Sequence, residues 1–245
     1  DVPTIGVAET SGTTNNDNIT CSGATVTLSI ATGALNDATD WQWYTVSCGG
    51  TPAGSGTSIN VNPTTTTTYY VRGEGGCVTP GLCAEVEVTV NTPPVCDIIG
   101  QNPVCANDGG FVYNATAGMS SYAWSITGNG TITGSTTNPT AVVDAGAAGS
   151  FTLSVTITDA NGCISTCEEV VAVTAEPTAT ISYDGDPYCS DEGVASVTLT
   201  GTIGGTYSAV PAGLNLNTLT GDVILATSTA GTYTVTYTIA AAGGC

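Results

Sequence analysis

The sequence predicts an all-β chain of three tandem sandwich domains, stapled by disulfides. Three observations carry this expectation. Cys21, Cys105 and Cys189 stand at equal intervals of 84 residues, and Cys77, Cys163 and Cys245, each preceded by Gly-Gly or Asn-Gly, recur at nearly the same interval. A fixed period of this length marks repeated domains. Thr, Val, Tyr and Ile alternate in short runs broken by Gly, Asn, Asp and Pro, which is the texture of strands and turns. Ten cysteines in 245 residues supply the staples that domains of roughly 70–90 residues commonly need.

The period divides the chain into domains 1–92, 93–175 and 176–245, joined by the short proline-bearing linkers 91–94 and 175–177. Proline fixes φ and removes a donor, so these read as semi-rigid joints of a rod rather than as tethers. Elements repeat in order. Runs 25–30, 111–115 and 195–200 follow the first cysteine of each repeat. Trp41-Gln42-Trp43-Tyr44 and Tyr122-Ala123-Trp124-Ser125 come next, matching the third strand of an immunoglobulin-like sandwich, where a tryptophan packs between the sheets. The third repeat offers only Tyr207 there. Runs 58–61, 141–144 and 223–225 follow, then the long strands 69–72, 151–158 and 232–239. Two repeats finish with a further strand, 84–90 and 169–174.

In the strand 232–239, Tyr233, Val235, Tyr237 and Ile239 alternate with threonines. Such alternation puts one face on a core and the other in water. No final strand follows it, so the third domain is expected to present an open edge and a groove lined by these four residues. Either the chain continues in a longer repeat protein, or another molecule lays a strand there. Residues 2–9 suit such a donor strand and suit equally the first strand of the first domain.

Composition excludes several function classes. Twenty acidic residues face one arginine, Arg72, with no lysine or histidine, for a net charge of −19. Nucleic acid is excluded as a partner, because nothing displaces its counterions; anionic membrane surfaces fail likewise. A chain without histidine has no His-based triad, and one without lysine forms no Schiff base. No apolar run is long enough for a membrane-spanning helix, so no membrane insertion is expected. An even cysteine count in small β domains points to an oxidising compartment: secreted, periplasmic or cell-surface.

The runs 9–17 (ETSGTTNND), Cys21-Ser22-Gly23 and 64–71 (TTTTTYYV) resemble the Ig-like repeats of Bacteroidota surface proteins. Residues 95–174, with Tyr122 through Gly130 and Thr158-Asp159-Ala160-Asn161-Gly162-Cys163, resemble their PKD-like and gliding-adhesin repeats. Residues 178–245 are similar to a third repeat type of the same giant proteins. The resemblance implies export through the outer membrane by the type IX system; a non-catalytic role is expected from the residues, since nothing places two carboxylates across a cleft.

The shared spacing argues for disulfides Cys21–Cys77, Cys105–Cys163 and Cys189–Cys245, leaving Cys48 with Cys83 and Cys96 with Cys167. Cys21–Cys48 with Cys77–Cys83 is a rival in the first repeat, since sequence alone does not fix connectivity. Asp184, Asp186, Asp191 and Glu192, in a loop turned by Gly185 and Pro187, are the candidate ligands for Ca²⁺. Trp41, Trp43 and Tyr44 raise a sugar-stacking platform, although alternation sends one face of that strand into the core. The reading is a structural and adhesive rod, a segment of a bacterial surface filament or giant adhesin. Its partner is itself, as a homopolymer by strand donation or through adjoining repeats. The alternative is a glycan-binding or accessory module of a secreted enzyme, with surface glycans as partners.

Overall fold

The computed structural model describes residues 2–9, 18–77, 79–185, 187–241, 243 and 245. The chain is all-β; the one helical element among the described residues is the 3-10 turn Leu225–Thr227.

Domain 1 holds β1 (Thr4–Glu9), β2 (Ile19–Cys21), β3 (Val26–Thr32), β4 (Asp40–Thr45), β5 (Thr51–Ser55), β6 (Ser58–Val61), β7 (Thr67–Glu74) and β8 (Ala84–Asn91). They form a three-stranded sheet, β1-β3-β6, facing a five-stranded one, β2-β8-β7-β4-β5. The alternating apolar residues of both sheets meet in between: Val26, Leu28, Trp43, Val71 and Val88 are fully buried. The buried indole of Trp43 donates to the Gly56 carbonyl at 2.9 Å, so the sandwich core takes the tryptophan without orphaning its N–H.

Domain 2 repeats the plan with β9 (Ile98–Ile99), β10 (Val104–Cys105), β11 (Phe111–Ala115), β12 (Ser121–Gly128), β13 (Gly130–Ile132), β14 (Thr140–Ala145), β15 (Gly149–Thr158) and β16 (Ile164–Thr174). Its sheets run β9-β11-β14-β13 and β10-β16-β15-β12. Phe151, Leu153, Val155 and Ile157, at every second position of β15, are all buried. Tyr113 meets Phe151 edge-on at 6.1 Å, and the Trp124 indole donates to the Asn138 carbonyl at 2.9 Å, the counterpart of Trp43.

Domain 3 is thinner. It holds β17 (Ala179–Tyr183), β18 (Val194–Ala195), β19 (Val197–Gly201), β20 (Thr206–Val210), β21 (Val223–Ile224) and β22 (Thr234–Thr238), joined only as the pairs β17-β19, β18-β21 and β20-β22. Tyr207 stands where the tryptophans stand in the first two domains and packs against Tyr237, with ring centres 4.7 Å apart and planes tilted by 45°. Ala195, Tyr207 and Val223 are its buried apolar residues. Among the described residues no strand pairs with the outer edge of β22, the edge that β16 covers on β15.

Residues 2–9 were expected to be either a donor or a first strand. In this structure β1 pairs antiparallel with β3, from Ile5 opposite Ile30 to Glu9 opposite Val26, at the edge of its sheet.

Candidate functional site: the disulfide joints and the open domain

The joints follow from where the strands end. In each of the first two domains the first cysteine lies on a short strand parallel to the final strand. Cys21 stands opposite Asn91, the last residue of β8, and Cys105 opposite Thr174, the last residue of β16. The next backbone N–H seals the arrangement: Ser22 donates to Asn91 and Ala106 to Thr174. This cysteine therefore sits at the distal pole, beside the outgoing linker. The last cysteine of each repeat sits at the opposite pole, in the turn before the final strand. Cys77 lies between β7 and β8, and Cys163 between β15 and β16, each directly after a glycine with positive φ, Gly76 and Gly162.

Within one domain the two cysteines are thus separated by a whole strand. At about 3.3 Å per residue, β8 and β16 hold them roughly 25–35 Å apart, whereas a disulfide tolerates a Cα separation under about 7 Å. The expected pairs Cys21–Cys77 and Cys105–Cys163 are consequently corrected. The observed bonds are Cys21–Cys163 and Cys105–Cys245, with Cα–Cα distances of 5.5 and 4.8 Å. Each runs from the distal pole of one domain to the proximal pole of the next. Cys48–Cys83 and Cys96–Cys167 form within domains 1 and 2. Cys77 and Cys189, expected in disulfides, are exposed free thiols, and the pair Cys189–Cys245 is corrected with them. The signal available in the sequence was the repeat itself. It identified equivalent cysteines but not the poles, and the two bonded pairs have almost the same separation, 142 and 140 residues.

These bonds create a short covalent route through domain 2. It runs from Cys21 to Cys163, along four residues to Cys167, across to Cys96, along nine residues to Cys105, and across to Cys245. Thirteen residues reach at most about 45 Å, and the Cys96–Cys167 bridge adds its 5.6 Å Cα separation, against roughly 36 Å for the length of β16. The covalent skeleton therefore lets the domain lengthen by only about 15 Å. Non-covalent contacts support the joints. Ser165 Oγ donates to the Pro94 carbonyl at 2.6 Å at the first, and Cys245 Sγ lies 3.5 Å from the Thr174 carbonyl oxygen at the second.

The single cation is spent inside domain 1. Arg72 Nε donates to Glu74 Oε1 at 2.6 Å, the Tyr44 hydroxyl donates to the same oxygen at 2.6 Å, and the guanidinium lies 5.6 Å from the Tyr44 ring centre. Arg72 Nη1 also reaches Cys48 Sγ at 3.6 Å. The Tyr44 hydrogen bond and then Arg72 hold the Glu74 carboxyl below its ordinary range, and burial followed by Glu74 raises the Tyr44 hydroxyl. This cluster pins the turn carrying Cys48 to the outer face of the sheet. Trp41 and Trp43 face the core and Tyr44 is 8 % exposed, so no sugar-stacking platform is displayed there.

The candidate Ca²⁺ loop is not assembled by its described residues. Glu192 Oε2 accepts from the Cys189 N–H at 2.7 Å, the Asp184 carbonyl accepts from the Tyr188 hydroxyl, and no three metal-ligating side chains converge among the described residues. Asp186 lies outside the described residues. The carboxylate of Glu192 closes its own turn, which is what acidic residues in Asp/Gly-rich loops ordinarily do.

A cleft of about 550 Å³ in domain 3 is lined by Ile181, Ala195, Leu214, Val223, Tyr233 and Val235. Of the four residues assigned to it, Tyr233 and Val235 face it. Tyr237 is turned to Tyr207, with its hydroxyl accepting from the Gly205 N–H at 2.7 Å. Ile239 lies at the joint to domain 2, beside Cys105, Pro177 and Cys245.

Residues 9–93 match the Ig-like domain that is CHU_C associated, and residues 91–173 match the PKD-like domain. The chain therefore carries tandem Ig-like and PKD-like repeats. No curated protein matches it. Among solved structures it is similar to fibronectin(III)-like modules of CbhA from Clostridium thermocellum, with 14 % identity over 69 % of this chain and 94 % of that one, at a TM-score of 0.33. It is also similar to a Ca²⁺-stabilised adhesin with which an Antarctic bacterium binds ice, with 15 % identity over 97 % and 72 %, at 0.37. At these scores neither similarity carries an argument about function.

Proposed function

We propose that the chain is a structural and adhesive subunit of an extracellular bacterial filament or surface adhesin, exported by the type IX route and assembled head to tail by strand donation. The carrying observation is the bare edge of β22 over a cleft that Ile181, Ala195, Leu214, Val223 and Val235 line together with serine and threonine side chains. The strand that fits must alternate apolar residues, as Val86 and Val88 do in β8 and Val171 and Val173 in β16. A second copy of this chain supplies it through β1, which carries Ile5 and Val7 in alternation.

Two further features support β1 as the donor. The Ig-like match begins at residue 9, where β1 ends, just as the PKD-like match begins at 91, where β8 ends. In addition, β1 ends 12 residues before Cys21, while β8 ends 14 before Cys105 and β16 ends 15 before Cys189. In its spacing to the following cysteine β1 thus resembles the final strands β8 and β16, while in pairing it holds on β3 the place that β9 holds on β11 and β17 on β19. Donated strands give affinity through main-chain hydrogen bonds and specificity through alternate side chains. Within such a polymer the disulfide joints keep the rod stiff, and the absence of histidine and lysine suits a role without chemistry.

The test is assembly of the purified chain, followed by size-exclusion chromatography and electron microscopy. Filaments are expected from the full chain. Val235→Arg, which puts a charge in the cleft, and removal of residues 2–9 should each leave folded monomers. Filaments that persist in both variants would overturn the proposal. The glycan-binding alternative predicts retention on a polysaccharide array, for which the buried Trp41 and Trp43 provide no platform.

A further inference from the structure

We propose that Cys189 of one copy forms a disulfide with Cys77 of the next, so that the filament is covalently continuous. This rests on the head-to-tail reading above and adds to it a specific bond. The two observed joints obey one rule: the first cysteine of a repeat bonds to the last cysteine of the following repeat, Cys21 to Cys163 and Cys105 to Cys245. Applied once more in each direction, the rule leaves one thiol of each kind unmatched. Cys189 is a first cysteine and Cys77 a last cysteine, the two kinds that the rule joins. These are the two free cysteines, and both are exposed.

Local geometry supports the equivalence. Cys77 occupies the turn between the last two strands, directly after Gly76 at φ +70°, as Cys163 follows Gly162 at φ +82°. Cys189 closes a three-residue turn by accepting from the Glu192 N–H, as Cys21 accepts from the Ala24 N–H. Cys21 and Cys105 lie beside the end of their domain's final strand; in domain 3 that strand is the one a second copy donates. The donated β1 would then run on toward its own domain 1, whose proximal pole carries Cys77. One event therefore brings together the edge, the linker and the two thiols, in the arrangement already present at the joints inside the chain.

The chemistry needs an oxidant, which is a disulfide, either a small molecule such as oxidised glutathione or a disulfide-donating protein. The Cys189 thiolate attacks one of its sulfurs and releases a thiol. The Cys77 thiolate then attacks the mixed disulfide at the Cys189 sulfur and releases the second thiol. Two electrons pass to the oxidant and both thiol protons are lost to the released thiols, so a new S–S bond forms as the oxidant's bond is broken.

The experiment mixes unlabelled and ¹⁵N-labelled full-length chains in a glutathione redox buffer and reads them by non-reducing electrophoresis and mass spectrometry of the cross-linked peptides. An SDS-resistant ladder is expected, containing a Cys189–Cys77 peptide of mixed isotope. Cys77→Ser and Cys189→Ser should each abolish the ladder alone, and the two variants mixed should yield dimers and nothing longer. Dimers from either variant alone, a Cys77–Cys189 bond within one chain, or two thiols that remain reduced under these conditions would overturn the proposal. The double variant separates the two ideas. If it still assembles non-covalently while the wild type lacks the bond, only the disulfide fails. If the wild type shows the bond but Val235→Arg forms the same ladder, only strand donation fails.

Discussion

Domains 2 and 3 are built on one plan and differ in one strand. In domain 2 the strand β15 is flanked by β12 and β16, and its four inward residues are buried to within 1 %. In domain 3 the equivalent β22 is flanked by β20 alone, and Val235 and Tyr237 are only half-buried. The same period-2 pattern therefore gives a sealed core in one case and an open cleft in the other. Disulfides follow the same division. Domain 2 is bracketed at both poles and crossed by Cys96–Cys167, whereas domain 3 is held at its proximal pole only. A finished core and a closed covalent route thus occur together in domain 2, and domain 3 has neither.

The largest expected effect is mechanical. Pulled from its two ends with disulfides intact, the stretch from Cys21 to Cys245 should lengthen by only about 15 Å, because its covalent route has only thirteen residues. Reduction should release roughly 700 Å of additional contour length. Force spectroscopy with and without reductant measures this directly, and equal extensions would show that the joints do not bear load.

Core substitutions should separate the two domains next. Val155→Ala in β15 removes fully buried methyl groups and should cost about 2–3 kcal/mol. Val235→Ala in β22 should cost under about 1 kcal/mol in the single chain, because its surroundings are open. In assembled material that second cost should rise toward the first. Denaturant melts of both variants, before and after assembly, provide the comparison.

Alkaline pH should weaken domain 2. Burial, and secondarily the charge of Glu169, pushes the Tyr113 hydroxyl up to about 12. Between its ordinary value near 10 and 12, the unfolded chain loses this proton and the folded one keeps it. The unfolded state then binds fewer protons, and stability falls as pH rises. Tyr113→Phe should flatten that fall but lose the 2.7 Å hydrogen bond to the Gln101 carbonyl. Thermal melts across this window read both. The smallest effect is expected at the domain 1 cluster: Glu74→Gln should cost about 1 kcal/mol. Because the folded-state carboxyl is depressed, the wild-type advantage should be present at neutral pH and lost on acidification through that depressed value.

Much of this was legible in the sequence, for identifiable reasons. Alternation in 151–158 and 232–239 marks strands because the side-chain period is fixed by the backbone. The tryptophans at 43 and 124 mark the sandwich because they fall on the third strand of their repeats, where an Ig-like sandwich packs an indole between its sheets. The period marks equivalent cysteines. Connectivity was not legible, because it depends on the pole at which each cysteine lies, and this is decided by the parallel pairing of β2 with β8 and β10 with β16. Such pairing leaves no local signature. In the acidic loop the described carboxylates do not converge, and Glu192 accepts from the Cys189 N–H in its own turn.

Cryo-electron microscopy of assembled material, focused on the free edge of β22, tests the central claim most directly. A strand there from a separate chain, with Ile5 and Val7 pointing into the cleft beside Val235, is the predicted result. A bare edge in the assembled filament, with β1 still paired to β3 of its own domain, would contradict it.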